Sequence, residues 1–173
     1  GGAQINYVDA SGQVVNSPIS VLQQIKDAGA AGVSSNDLIL IDGGANDAAA
    51  LITAVLTYQS AAATYAVTGS PADGAKALAA QKYLQAFLAS KIDTATLTAL
   101  LSQGSDGIVK AGGLYMQTLA QNLATSMQTD LLAKGATRIA VLNIPAIQMT
   151  PKFTTVLAQI AQAQGTAASK QAE

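Results

Sequence analysis

An asparagine set between a glycine pair and an aspartate is the part of this sequence best suited to chemistry. Gly43, Gly44, Ala45, Asn46 and Asp47 follow the apolar run Leu38, Ile39, Leu40 and Ile41, with Asp42 between them. A carboxamide donates hydrogen bonds without carrying charge, so Asn46 suits an oxygen that becomes negative only during a reaction. Gly44 provides a turn where a β-carbon would obstruct the approach to that amide. Asp47 reads as support for the loop and the helix start rather than as an acid or base. The same residues also suit a plain helix start, with Asn46 as N-cap and Asp47 favourable in the first turn.

The elements that must position Asn46 are legible around it. Residues 38–42 predict a short buried strand, and the alanine-rich stretch from about 47 to 59 predicts a helix. Strand, glycine turn and helix together deliver a side chain to the crevice at the carboxyl end of an open sheet. Residues 138–144 predict a second strand without period-2 alternation, after a helix closed by Gly135. Two such strands joined by long helical segments predict a parallel sheet covered on both faces. Ser17 and Pro18 suit a helix start, and Val21, Leu22, Ile25 and Ala28 form its inward face, with Gly29 and Gly32 ending it. Residues 69–74 predict a turn, 75–90 a helix, and a short helix begins near Asp93 or Thr94. The longest pattern, 108–134, carries Tyr115, Leu119, Leu123, Met127 and Leu131 on one stripe. Thr150 and Pro151 open a last helix with Phe153, Val156, Leu157 and Ile160 inward. Residues 61–107 read as a helical insertion, either a lid or a second layer of helices.

Two motifs invite chemistry and do not carry it. Gly69 to Gly74 is turn chemistry, and Ala75 and Lys76 follow where a phosphate loop has Lys-Ser or Lys-Thr. Gly104, Ser105, Asp106 and Gly107 form a turn and not a nucleophile elbow.

The ordered set of motifs resembles the GDSL, or SGNH, hydrolases. Gly44-Ala45-Asn46-Asp47 resembles that family's Gly-x-Asn-Asp block, Gly1-Gly2-Ala3 its preceding glycine block, and the stretch from Gly135 to Pro151 its fourth strand and exit loop. The resemblance implies a three-layer α/β/α fold with a parallel, flavodoxin-like sheet in a single domain over residues 1–173, incomplete at both ends and interrupted by the 61–107 insertion. It implies a carboxylic ester hydrolase of bacterial secreted, cell-surface or periplasmic type, acting on a small-molecule or lipid ester. The glycine amide of the oxyanion hole falls on Gly2, with Gly1 as the alternative, and the side-chain donor on Asn46. The family's Gly-Asp-Ser nucleophile block and Asp-x-x-His base block are absent, and the sequence contains no histidine. The chain is therefore expected to be the middle of such an enzyme, inactive alone and partnered by N- and C-terminal segments of the same protein.

Composition sets the remaining bounds. The 173 residues suit one domain, half of them hydrophobic and 11% charged, which argues against a disordered chain. A net charge of −1 gives no support for a nucleic-acid partner. Nothing approaches about 20 uninterrupted apolar residues, so no transmembrane segment is expected. Without cysteine or histidine there is no disulfide or thiolate site, and neither a metal nor a cofactor is expected. Two readings stand beside the hydrolase: a non-catalytic binding module on the same fold, and a helical interaction protein that presents the Tyr115–Leu131 stripe to a partner helix.

Overall fold

The computed structural model describes residues 4–9, 11, 13–15, 19–142, 154 and 155. The chain divides into two units, Gly1–Leu142 and Asn143–Glu173. Of the second, only Thr154 and Thr155 are described, and both are helical. The predicted last helix from Thr150 otherwise lies outside the described residues, as do Ser17 and Pro18.

The first unit opens with a small antiparallel hairpin, β1 (Tyr7–Val8) against β2 (Val14–Val15). Helix α1 (Val21–Ala31) follows, capped by Ser20, whose hydroxyl accepts from the Gln23 amide. It runs through Gly29 and stops at Gly32, where φ is +102°. Then come β3 (Leu38–Ile41), α2 (Ala45–Thr68), α3 (Pro71–Ala89), α4 (Thr94–Leu101), α5 (Ser105–Ser126) and β4 (Arg138–Val141). Ser70 caps α3 through the Asp73 amide, and Asp93 caps α4 through the Thr96 amide, each supplying an acceptor that the first turn lacks. Ser105 is the first residue of α5.

Strands β3 and β4 pair in parallel, from Leu38 opposite Arg138 to Ile41 opposite Val141, as their apolar runs predict. The expected three-layer sandwich does not form. Helix makes up 69% of the described residues, and the strands form two separate two-stranded sheets. Ile41 is buried and Ile39 packs on the core, whereas Leu38 and Leu40 on the opposite face are 64% and 65% exposed. A run of four apolar residues signals a strand with two covered faces, but the cover must come from elsewhere in the chain. Here the described helices cover only one.

The stripe on α5 is core. Tyr115 and Leu119 are buried, as is Leu131 beyond the helix end, so this stripe offers nothing to a partner helix. It continues through a widened π turn, Met127–Leu131, and a 3₁₀ turn, Leu132–Lys134, to Gly135 at φ +108°. Helix α1 crosses that π turn at Gly29, where a β-carbon would lie 1.9 Å from the Asp130 carbonyl oxygen. The close approach, and not a helix end, is why glycine stands at position 29.

The segment expected as an insertion is helical but is not separated from its flanks. Helix α2 runs without a break to Thr68 and pairs with α3. Phe87 and Leu88 of α3 reach the core, Phe87 stacking on Tyr115 with ring centroids 4.9 Å apart. At 24 residues, α2 is long and apolar enough to cross a membrane by length and composition. Its first half instead places Ala48, Leu51 and Ala54 in the core of the unit.

Gly29→Ala drives a β-carbon into a backbone carbonyl that has no rotamer to move, so α1 must separate from the π turn. A loss of about 3 kcal/mol or more is expected, measured by urea denaturation against the parent chain.

Candidate functional site

The loop between β3 and α2 is built around two glycines. Gly43 packs against Val21 and Ile5, where a β-carbon would meet the Val21 methyl at 3.2 Å. Gly44 sits at φ +102° and is itself the N-cap of α2. The demand at Gly44 is therefore conformational, because L residues lose about 1–2 kcal/mol in the left-handed region. Helix α2 starts at Ala45, so Asn46 lies inside its first turn and is not the N-cap. Asn46 is exposed.

Asp47 is fully buried. Its Oδ2 accepts from the Ile5 amide at 2.8 Å and its Oδ1 from the Asn6 amide at 2.9 Å. Gln4 donates from Nε2 to the Asn46 carbonyl at 3.1 Å, and its own carbonyl accepts from the Val21 amide at 2.9 Å. Asn6, also buried, donates from Nδ2 to Ser90 Oγ at 3.0 Å and to Tyr115 Oη at 3.1 Å. The Ser90 hydroxyl in turn donates to the Phe87 carbonyl at 2.6 Å. Residues 4–6 are thereby tied to α1, α2, α3 and α5 at once.

Burial governs the protonation of this cluster. It raises the Asp47 carboxyl above its ordinary value of 3.8, against the two amide donors and the field of Lys91, which lower it. Burial also lowers Lys91, against the opposing pull of Asp47. The Tyr115 hydroxyl is pushed up to about 12, again chiefly by burial. Asp47 and Tyr115 are turned toward the protein's own amides and side chains.

Beside the loop lies a recess of about 340 Å³ between one face of α1 (Val21, Gln24, Ile25), Ile39 to Ile41 of β3, and Asn46, with Leu131 also in its wall. The wall is mostly apolar, with Asn46, Gln24 and the carboxylate residue Asp42 as polar points, the mixture typical of small-molecule sites.

Of the residues that the sequence singled out, Gly44 is the N-cap of α2, and Asn46 and Asp47 stand in its first turn. Gly1 and Gly2 lie outside the described residues, but Gln4, only two positions past Gly2, is hydrogen-bonded to Asn46. The partners Asn6, Ser90 and Tyr115 were not singled out. A tyrosine on an apolar stripe was the available signal, since a buried hydroxyl needs a polar partner.

Asp47→Asn puts an amide NH₂ against one of two backbone donors and is expected to destabilise the fold by about 1–3 kcal/mol. The wild-type carboxyl has a raised folded pKa, so its contribution to stability is full below 3.8 and is lost as pH rises through the folded value. Stability of wild type relative to Asp47→Asn should accordingly fall with increasing pH over that window, read from denaturation midpoints at each pH.

Compared with protein-family models, curated proteins and solved structures, the chain shows no match.

Proposed function

We propose that this chain is a binding module without covalent chemistry of its own, taking a small uncharged ester group at the Asn46 end of the recess, where the neighbouring Asp42 disfavours an anion. The observation that carries this reading is the set of bonds from residues 4–6 to Asp47 and to the Asn46 carbonyl, which fixes the first turn of α2 where Asn46 lines the recess. Such fixing supports binding because an amide already in place loses little freedom when a ligand arrives. The first turn of α2 adds a favourable field for a partly negative oxygen. The absence of histidine from the sequence and the internal use of the buried hydroxyls weigh against catalysis by this chain alone.

A second reading is favoured by one specific contact. The Gln4 side chain on the Asn46 carbonyl holds the residues that follow Gly1-Gly2-Ala3 at the same loop. That juxtaposition suits the oxyanion hole of an ester hydrolase, with Gly2 and Asn46 as donors. The serine and histidine would then come from polypeptide outside this sequence.

One titration separates the two. A short-chain aryl ester is added to ¹⁵N-labelled chain while phenolate release is followed by absorbance. Binding without chemistry predicts a saturable shift of the Asn46 side-chain amide, lost in Asn46→Ala, and no turnover above background. The hydrolase reading predicts turnover only when polypeptide carrying the serine and histidine is supplied, with Asn46→Ala then lowering kcat by roughly 10²–10³. Turnover by the chain alone would retire both, and an unmoved Asn46 amide would retire the binding module.

A further inference from the structure

We infer that the far end of the α2–α3 hairpin docks on the surface of a zwitterionic phospholipid bilayer, entering it with Tyr65, Val67 and the turn at Gly69. The inference concerns the hairpin tip and is independent of what Asn46 binds.

Two properties of α2 that rarely go together carry it. The helix is apolar enough to cross a membrane, yet only 11% of its most apolar stretch is buried among the described residues. A helix apolar all round is normally enclosed, by a protein core or by lipid. From Ala48 to Ala72 the sequence holds no charged residue, although Ala63, Tyr65, Ala66 and Val67 are all exposed. At about 100° per residue these four are spread around the helix axis. A partner helix, or the hairpin of a second copy, covers one side and leaves the others in water. A bilayer surrounds whatever enters it.

The polar groups of the tip are bonded within it. Thr64 donates to the Ser60 carbonyl at 2.9 Å, as Thr57 does to the Thr53 carbonyl at 2.8 Å. The Gly69 amide donates to the Tyr65 carbonyl at 2.8 Å. At the start of α3, Asp73 accepts from Thr68 Oγ1, Ser70 Oγ and Lys76 Nζ, each at 2.9 Å. From Gln59 to Ala79, Asp73 and Lys76 are the only charges in the sequence, and they form an ion pair. Groups bonded in this way lose little when water is removed, which is the condition for entering an apolar phase.

The next charge sets the depth. Lys82 stands about 17 Å along α3 from Pro71 at about 1.5 Å per residue. The root of α2 is held in the core by Ala48, Leu51 and Ala54. The hairpin therefore dips about 5–10 Å, to the boundary of headgroups and chains, and does not span. Lys76 lies within that range, on a flexible stem that carries its ammonium back toward the headgroups. An exposed tyrosine ring, apolar with a polar end, suits the same boundary. Because the tip has no net charge, the attraction comes from apolar surface withdrawn from water and not from anionic lipid. Phosphatidylcholine is the chemistry that matches.

The test uses the full chain with vesicles of phosphatidylcholine alone and of phosphatidylcholine and phosphatidylserine in equal parts. The sequence contains no tryptophan, so Val67→Trp reports on the tip alone. Its emission is expected to shift saturably to the blue with either vesicle, and the parent chain should float with both to the same extent. Val67→Lys should weaken flotation about tenfold or more. Val109→Lys, at another exposed valine on α5, should leave it unchanged. Leu78→Lys, at an exposed leucine on the α3 side of the hairpin, replaces Val67→Lys if that variant lowers the helical circular dichroism. Sedimentation without lipid should give the same mass for the parent and Val67→Lys. The proposal is overturned by an unshifted emission, by flotation with the anionic vesicles alone, or by a folded tip variant that floats as the parent does. Equal loss in Val109→Lys overturns it too, as does a parent dimer that Val67→Lys dissociates, which would assign the tip to a second copy.

Discussion

A carboxylate sealed from water is costly unless donors replace the water it has lost. At Asp47 two consecutive backbone amides do so, those of Ile5 and Asn6. This contact joins the first turn of α2 to a stretch more than forty residues earlier, which is also held by the bonds of Gln4 to Asn46 and Val21. The Asn6 side chain then carries the connection on to Ser90 and Tyr115. Without this cluster, residues 4–6 would present unpaired amides to the core, and the β3–α2 loop would lose the contact that holds its helical side in place.

Around this polar centre the apolar core is assembled from five helices that differ in how tightly they pack. Helix α1 approaches the π turn after α5 so closely that only glycine fits at position 29. Gly107 is a second such place, where a β-carbon would lie 1.7 Å from the Leu100 carbonyl oxygen and α4 meets the start of α5. Large side chains occupy the space between these contacts, with Phe87, Leu88, Tyr115, Leu119 and Leu131 almost wholly enclosed. The far ends of α2 and α3 are thinner. Tyr65 packs on Gly74 there, while Val67 is 88% exposed. Alanine-rich helices allow close approach but bury little area per residue, so the ends of this pair contribute less to stability than their roots.

The small sheet is where fold and function meet. Its inward residues belong to the core, and its loop presents Asn46. Its outer face and one β3 edge remain without a described partner. These three properties follow from a single strand of four residues and the alternation of its backbone. The same alternation that puts Ile39 and Ile41 inward leaves Leu38 and Leu40 on the exposed face.

Local pattern in the sequence determined the two parallel strands and some of the helix boundaries. Asp93 and Gly135 act where expected, and β3 and β4 pair in parallel as their apolar runs imply, because these features depend on neighbours within a few residues. Gly29 reads as a helix end in sequence, and its true reason, the Asp130 carbonyl, lies a hundred residues away. Asn46 reads as an N-cap because an asparagine before an alanine run suits one, yet the left-handed turn at Gly44 starts the helix earlier. The sheet's extent was the largest departure. Four apolar residues announce a buried strand, but how many strands join it and whether its second face is covered are set by long-range contacts. Only the tertiary structure decided that Asp47, a residue of unremarkable helix-start chemistry, is the buried anchor. That depended on Ile5 and Asn6 bringing two amides to it, and nothing in the local sequence of either segment encodes the meeting.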